Sequence, residues 1–258
     1  GQRAAARGMI ERALALNPQL AEALANLGTI FLADGQLDQA EQAYRQSLAL
    51  DSSAPAAHIN LGIVLQRQGL LEQAAQYYRR AIEIDPANAA AHFSLGTVAK
   101  SQGQLAFAAD CFHQAIALSP HDASALANLG NVQCEQGELE AAAASYRRAI
   151  ELKPNFAEAY SNLGNVLRAL RQPEAASAAY LQAIQLNPNL PASHSNLGGM
   201  LREQGNLTGA LACYRRAVEL QPDFASAYSS YLYLLHFHPD CDAAAILSAH
   251  QQWHTQLA

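Results

Sequence analysis

An asparagine recurs at one fixed spacing in this chain of 258 residues. Asn26, Asn60, Asn128, Asn162 and Asn196 are separated by 34 residues or by twice 34, and Ser94 occupies the remaining step. A carboxamide carries hydrogen-bond donors and an acceptor in one plane, so it can pair with the N–H and the C=O of a peptide unit whatever the side chain is. We call these five residues the asparagine column, and they predict a clamp for the backbone of an extended peptide.

The spacing of the asparagine column suits such a clamp if each asparagine stands on its own helix. Neighbouring helices pack roughly 8–10 Å apart, and an extended chain advances roughly 3.3 Å per residue, so one asparagine would meet about every third residue of a bound peptide. Asn131 and Asn165, each three residues after a member of the column, would add further contacts. The alternative is that these asparagines cap local backbone groups or bond to one another between helices.

Four other features recur at the same 34-residue step, which indicates tandem repeats. They are Leu-Gly pairs at 27–28, 61–62, 95–96, 129–130, 163–164 and 197–198; alanines at Ala40, Ala74, Ala108, Ala142, Ala176 and Ala210; aromatic residues at Tyr44, Tyr78, Phe112, Tyr146, Tyr180 and Tyr214; and prolines at Pro86, Pro120, Pro154, Pro188 and Pro222. The small residues let two helices approach closely, the aromatic ring fills the space beside them, and proline ends the second helix. The pattern therefore predicts one helix pair per repeat.

A second glycine marks the turn inside each pair. Gly35, Gly69, Gly103, Gly137 and Gly205 recur there and suit the left-handed backbone that ends a helix. Arg171 takes the place of this glycine in one repeat, and Pro173 follows at a position that suits the first turn of the next helix. We therefore expect a slightly different turn at Arg171, within the same fold.

The 34-residue pattern resembles the tetratricopeptide repeat, a helix–turn–helix unit. The resemblance implies an all-α fold, a right-handed superhelix (an α-solenoid) of antiparallel helix pairs. Counted from Ala21 as position 1, the asparagine column is position 6, which in that family lines the concave inner surface. The implied units are the second half of a truncated repeat at residues 1–20, six repeats at 21–54, 55–88, 89–122, 123–156, 157–190 and 191–224, and a degenerate pair of capping helices at 225–258.

The tail carries a further resemblance. Its segments "LLHFHPD" and "ILSAHQQW", and repeat segments such as "AEAYSNLGNVL" and "YRRAIELKPNFAEAY", are similar to bacterial proteins of the O-GlcNAc transferase and SPINDLY type. In that family an asparagine ladder holds the acceptor polypeptide, so the resemblance implies this role for the asparagine column. Residues 225–258 would then join the repeats to a glycosyltransferase region that uses a UDP-sugar. The alternative is an assembly scaffold without an enzyme, which binds a fixed protein partner.

The repeats contain no visible catalytic machinery. They show no nucleophile–base pair, phosphate loop or set of four metal ligands, so we expect no catalysis by this chain and no cofactor. His58, His92 and His194, at position 4, are expected to be partly buried packing residues. In the tail, His250 and His254 are four residues apart, with His236 and His238 nearby, so a zinc site is conceivable beside the simpler interpretation of a capping helix pair.

The net charge and the cysteines limit the classes of partner and the cellular compartment that we expect. The net charge of −6 disfavours nucleic acid and anionic membranes as partners, and no apolar run reaches the roughly 18 residues of a membrane span. The first arginine of Arg79-Arg80, Arg147-Arg148 and Arg215-Arg216 stands four residues before Glu83, Glu151 or Glu219, which predicts ion pairs on a solvated face. Four cysteines without a CxxC spacing favour reduced thiols and a cytoplasmic location. Self-association, through the convex face or the N-terminal half-repeat, is a further alternative.

Overall fold

The computed structural model describes residues 2–237 and 243–257, and every regular element in these two ranges is an α-helix. In chain order the helices are α1 (Gln2–Leu16), α2 (Ala21–Ala33), α3 (Leu37–Leu50), α4 (Pro55–Arg67), α5 (Leu71–Ile84), α6 (Ala89–Ser101), α7 (Leu105–Leu118), α8 (Ala123–Glu135), α9 (Leu139–Leu152), α10 (Ala157–Ala169), α11 (Pro173–Leu186), α12 (Pro191–Glu203), α13 (Leu207–Leu220), α14 (Ala225–Leu235) and α15 (Ala243–Leu257). The chain divides into two compact units, residues 1–136 and 137–258. The all-α class predicted from the repeats is confirmed.

The first unit contains α1 to α8, and each helix packs against the next one along the chain. The contacts are most extensive within the pairs α2–α3, α4–α5 and α6–α7. The first helix of each pair also contacts the first helix of the next pair, as in α2 with α4, α4 with α6 and α6 with α8. Successive first helices therefore lie side by side in this unit.

The second unit contains α9 to α15, again with contacts between helices that follow one another and between the first helices α10 and α12. Its last two helices, α14 and α15, share a core in which the rings of Tyr228 and Trp253 lie 4.4 Å apart between centroids. None of the helices in the described ranges combines the length and the apolarity needed to cross a lipid bilayer.

The glycine of each Leu-Gly pair lies against the aromatic ring of its own helix pair. A Cβ atom on Gly62 would lie 2.5 Å from Tyr78 Cε1, and one on Gly164 would lie 2.6 Å from Tyr180 Cε1. Both tyrosines are fully buried. Since buried side chains are close-packed, the short distance between the two helices depends on the missing glycine side chain.

The second glycine of the repeat ends the first helix in the left-handed region of backbone space. The φ angle is 75° at Gly35 and 79° at Gly205. Arg171 has a φ of 60°, and it is the one residue other than glycine with a positive φ in the described ranges. The arginine therefore adopts the backbone conformation that its glycine counterparts adopt.

The turn at Arg171 shares two closing hydrogen bonds with the glycine turns. Its amide donates to the carbonyl of Arg168 at 3.1 Å, and the amide of Gln172 donates to the carbonyl of Leu167 at 2.9 Å. The corresponding bonds at Gly205 measure 3.0 and 2.9 Å. The turn nevertheless differs slightly, as expected: Gly205 also accepts a bond of 3.0 Å from the amide of Leu207, whereas Pro173 has no N–H to donate to Arg171. The φ angle of the next residue is −113° at Gln172 and −82° at Asn206.

Arg171→Gly is expected to raise the free energy of unfolding by about 0.5–1 kcal/mol. The left-handed conformation costs an L-residue roughly 1–2 kcal/mol, and glycine removes this cost. Glycine also makes the unfolded chain more flexible, which lowers the stability by about 0.5–1 kcal/mol. Gly205→Arg, at the equivalent turn of the same unit, should lower the free energy of unfolding. Guanidinium denaturation followed by circular dichroism measures both changes, and an unchanged stability in both variants would show that the turn is not strained.

Candidate functional site

The asparagines predicted to bind a peptide all lie on the first helices of the pairs. Those in the first unit are Asn26 on α2, Asn60 on α4, and Asn128 and Asn131 on α8; those in the second unit are Asn162 and Asn165 on α10 and Asn196 on α12. Asn26 and Asn165 are exposed, and the other five are half-buried. Each unit therefore presents carboxamides that solvent, and so a ligand, can reach.

The second unit joins two of these asparagines in one hydrogen-bonded cluster. Asn165 Oδ1 accepts a bond of 2.8 Å from the hydroxyl of Tyr180 and another of 2.8 Å from Nδ2 of Asn196. Asn165 and Asn196 belong to successive first helices, so the bonding between repeats that was the alternative for these residues occurs here. Burial raises the pKa of Tyr180 to about 12, which keeps its hydroxyl protonated at neutral pH and able to donate.

Buried tyrosines also bond to polar side chains of the first helices in the first unit. The hydroxyl of Tyr44 lies 2.9 Å from Thr29 Oγ1. Burial raises the pKa of Tyr44, and hydrogen bonds with Thr29 and Asn60 partly offset the rise. Burial likewise raises the pKa of Tyr78 to about 12, with a hydrogen bond to Ser94 acting in the opposite direction. The Tyr78 hydroxyl donates to Oε1 of Gln66 at 2.9 Å. Both hydroxyl groups therefore bond to the first helix of their own pair, and the position-6 residue of the following pair lowers their pKa.

Asn128 follows a pair that has phenylalanine in place of this tyrosine. Phe112 is fully buried and offers no hydroxyl group. Asn128 Nδ2 instead donates to the carbonyl of Ser124, one turn earlier on the same helix, at 3.0 Å. This asparagine thus bonds a local backbone group, while Asn131 and Asn162 also interact with other residues of the chain.

Sequence reasoning missed one part of the site, the hydroxyl groups of the tyrosines at the recurring aromatic position of the repeat. The ring at this position was expected only to fill space, and phenylalanine fills the same space. Tyrosine stands at five of the six steps, and a buried tyrosine hydroxyl usually has a hydrogen-bond partner. That preference was the available signal that the tyrosines bond to neighbouring polar residues.

An open pocket of about 560 Å³ lies in the second unit between α12, α13 and α14. Two leucines and the rings of Tyr233 and Phe237 form its apolar lining, and the two rings lie 4.7 Å apart between centroids. Tyr233 and Phe237 are 56% and 59% exposed. Arg202 supplies the one charged group in the lining. This arrangement can receive an apolar side chain and, beside it, a carboxylate.

Family models of repeat proteins match most of the chain. Models described as tetratricopeptide repeat match residues 1–55, 28–89, 77–106 and 157–190, and one described as TPR repeat matches residues 130–171 and 198–230. The chain belongs to the tetratricopeptide repeat family. No curated protein matches it in sequence.

Solved structures share the tetratricopeptide repeat fold at low identity. A chain of the APC/C hetero-tetramer Cut9–Hcn1 has a TM-score of 0.75 at 19% identity, over 91% of this chain and 46% of that chain. PilF of Pseudomonas aeruginosa has a TM-score of 0.73 at 20% identity, over 92% of this chain and 100% of that chain. YrrB, described as a TPR protein with an unusual peptide-binding site, has a TM-score of 0.61 at 23% identity, over 74% of this chain and 98% of that chain. These similarities establish the fold.

The histidines at position 4 of the tetratricopeptide repeats bond to the loop that precedes their own helix. Nε2 lies 3.0 Å from the Ser52 carbonyl in His58, 3.1 Å from the Pro86 carbonyl in His92 and 3.0 Å from the Pro188 carbonyl in His194. Each acceptor is six residues earlier in the chain. Since a carbonyl only accepts hydrogen bonds, Nε2 carries the proton. These residues connect repeats in addition to filling space.

Two of the tail histidines lie close together. Nε2 of His236 on the turn after α14 is 3.4 Å from Nε2 of His250 on α15. In the described parts of the chain, no group of three or more His, Cys, Asp or Glu residues is placed to hold a metal ion. His238 lies outside the described residues, and so does the side chain of His254. The described pair supplies fewer ligands than the three or four of a zinc site.

The arginine–glutamate pairs form, but mostly with the second arginine of each doublet. The bonds are Arg80–Glu83 at 2.8 Å, Arg148–Glu151 at 3.0 Å and Arg216–Glu219 at 3.2 Å. Within the described residues the predicted pairing of the first arginine occurs only at Arg215, 3.9 Å from Glu219, while Arg79 lies over the ring of Phe107. The predicted partner was therefore wrong for two doublets. Exposed pairs of this kind contribute little to stability.

Proposed function

We propose that the chain binds extended protein segments through the asparagine column and its neighbours Asn131 and Asn165. The observation that carries the proposal is the succession of carboxamides on neighbouring first helices, each with solvent access. Such groups bond to peptide N–H and C=O groups, so the ligand is recognised by its backbone and its sequence can vary. In the second unit, the pocket of Arg202, Tyr233 and Phe237 adds a place for an apolar or acidic side chain.

The proposal predicts that Asn128→Ala, Asn162→Ala and Asn196→Ala combined will weaken peptide binding tenfold or more. A hydrogen bond contributes about 0.5–1.5 kcal/mol, so three lost bonds correspond to roughly ten- to a thousandfold. Peptides selected from a random display library on the wild-type protein would serve as ligands, with fluorescence anisotropy to measure the dissociation constant.

A matched control for the triple variant is Asn155→Ala. Asn155 is an exposed asparagine in the loop between α9 and α10, so it reports on the loss of a carboxamide away from the column. The helical circular dichroism of both variants should equal that of the wild type, because alanine is the better helix former at the three helical positions and Asn155 lies outside the helices. Unchanged affinity in a folded triple variant would refute the peptide clamp.

We further propose that these repeats are the substrate-recruiting arm of a protein O-glycosyltransferase in the cytoplasm. The support is the resemblance of the tail segments "LLHFHPD" and "ILSAHQQW" to that family. The capacity of the asparagine column to hydrogen-bond a peptide backbone of any sequence is a second support. The free thiols of Cys111, which is buried, and of Cys213, which is half-buried, are compatible with a reducing compartment. The second candidate is a non-enzymatic assembly scaffold, which the same groups would serve with one fixed protein partner.

Calorimetric titration with UDP separates the two candidates. The full-length natural protein and the 258-residue chain would be titrated side by side. Binding by the full-length protein alone supports a nucleotide-sugar module attached to the repeats. A folded full-length protein that does not bind UDP favours the assembly scaffold.

A further inference from the structure

The cluster of Tyr180, Asn165 and Asn196 uses only part of its hydrogen-bonding capacity. Asn165 Oδ1 already accepts two bonds, one from each of the other two residues, and a carboxamide oxygen has two lone pairs. The two N–H groups of Asn165 make no bond within the described residues. Asn196 has used one N–H group, and its Oδ1 likewise accepts no bond there. The cluster therefore offers donors on Asn165 and an acceptor on Asn196.

These remaining groups complement one residue of an extended peptide. In an extended strand the N–H and the C=O of a given residue point to the same side, which is why paired residues of an antiparallel sheet exchange both bonds. We propose that the cluster binds one such residue, whose C=O accepts from Asn165 Nδ2 and whose N–H donates to Asn196 Oδ1. Tyr180 is the positioning residue of this site. The inference rests on the proposed peptide binding and names the residues that hold one backbone unit.

Tyr180 positions the cluster because its ring is held in place and its hydroxyl bonds to Asn165. The ring is fully buried and lies against Gly164, where even a Cβ atom would be 2.6 Å away. Its hydroxyl is protonated at neutral pH, as in any tyrosine, and burial makes it harder still to ionise by raising the pKa to about 12. The hydroxyl donates to Asn165 Oδ1, and Asn196 Nδ2 donates to the same oxygen. Asn165 therefore keeps Oδ1 towards the tyrosine and turns its N–H groups to the exposed side.

The next pair of the same unit provides a natural contrast. Tyr214 occupies the equivalent position and is also buried, but glycine stands at Gly199 where Asn165 stands in the preceding pair. The Tyr214 hydroxyl makes no hydrogen bond within the described residues. Tyr180→Phe and Tyr214→Phe thus remove the same atom from the same kind of core. Only Tyr180→Phe removes a bond to a proposed ligand-binding group.

The test compares these two variants in the free and the peptide-bound protein. The side-chain amide signals of Asn165 and Asn196 in ¹⁵N-labelled protein report the orientation of the carboxamides without ligand. A fluorescein-labelled dodecapeptide of Ser, Thr, Ala and Pro residues, followed by anisotropy, reports binding. Melting temperatures of both variants show whether the core is equally intact.

Tyr180→Phe is expected to shift both amide signals and to weaken peptide binding roughly two- to tenfold, the effect of one hydrogen bond. Tyr214→Phe should leave the signals in place and change the affinity less than twofold. Unshifted signals in Tyr180→Phe, or equal losses of affinity in the two variants, would overturn the positioning role while peptide binding stands. Absence of binding by the wild-type protein would overturn the proposed peptide binding and the ligand assigned to this cluster.

Discussion

Gly62→Ala is expected to lower the free energy of unfolding by about 2 kcal/mol, although alanine is the better helix former. The added methyl group would lie 2.5 Å from Tyr78 Cε1 and 2.9 Å from the two adjacent ring atoms. Tyr78 is fully buried at the centre of the core of the first unit, so its ring cannot move without disturbing α4 and α5. Overpacking costs about 1–3 kcal/mol; a distance as short as 2.5 Å corresponds to the upper end, about 3 kcal/mol, and the gain in helix propensity returns about 1 kcal/mol.

Gly198→Ala is the matched control for this prediction. The same methyl group would there lie 3.2 Å from the ring of Tyr214, a gap that a shift of a few tenths of an ångström relieves. The cost and the propensity gain of about 1 kcal/mol should nearly cancel. Guanidinium denaturation measures both variants, with amide hydrogen exchange in α4 and α5 to localise the change, because repeat arrays need not unfold in one step. Equal destabilisation at the two glycines would contradict the steric explanation.

The helix pairs and the close glycine–tyrosine contact could be predicted because both follow from the spacing of residues in the sequence. A 34-residue period places each glycine on the apolar face of the first helix and each aromatic residue on the facing side of the second. Gly62 and Tyr78 are sixteen residues apart in the chain, as are the glycine and the aromatic residue of each of the other repeats. In the structure the two residues are in close contact. Periodicity specifies helix faces well, since each face must be buried or solvated.

The details that could not be predicted depend on rotamers and competing bonds. The sequence did not reveal that Arg171 keeps the left-handed conformation and two of the closing hydrogen bonds of its glycine counterparts. Helical spacing allows an arginine to pair with a glutamate three or four residues away, so it could not decide between Arg79 and Arg80 as the partner of Glu83. Periodicity predicts on which face of a helix a residue lies, but it does not predict which neighbouring group its polar atoms bond to.

The same limit applies to the asparagine column. Its place on the first helices follows from the repeat, but the spacing did not reveal that Tyr180 and Asn196 share the oxygen of Asn165. Nor did it reveal that Asn128 bonds its own helix where Phe112 replaces a tyrosine. These bonds do not exclude a ligand, because a carboxamide has more donors and acceptors than one neighbour uses. Binding by the column accordingly stays a prediction.

His58→Ala is expected to lower the free energy of unfolding by about 3 kcal/mol, within the range for emptying a buried site of this size. His58 is 6% exposed, its ring lies 5.9 Å from that of Tyr77 between centroids, and its Nε2 donates to the carbonyl of Ser52. Truncation leaves a cavity and removes the donor at once. His92→Ala, at a half-buried histidine with the corresponding bond, should cost only about 1 kcal/mol because water can replace the ring and solvate the carbonyl.

His58→Leu separates the packing role of this histidine from its hydrogen bond. Leucine refills most of the cavity but cannot donate to the Ser52 carbonyl, so a loss of about 1–2 kcal/mol is expected, the cost of an unpaired buried acceptor. Guanidinium denaturation of the wild type, His58→Leu and His58→Ala gives both contributions by difference. If His58→Leu were as stable as the wild type, position 4 would need only a bulky residue. If it fell as far as His58→Ala, the bond to the loop would account for the whole effect, and these histidines would act mainly as links between successive repeats.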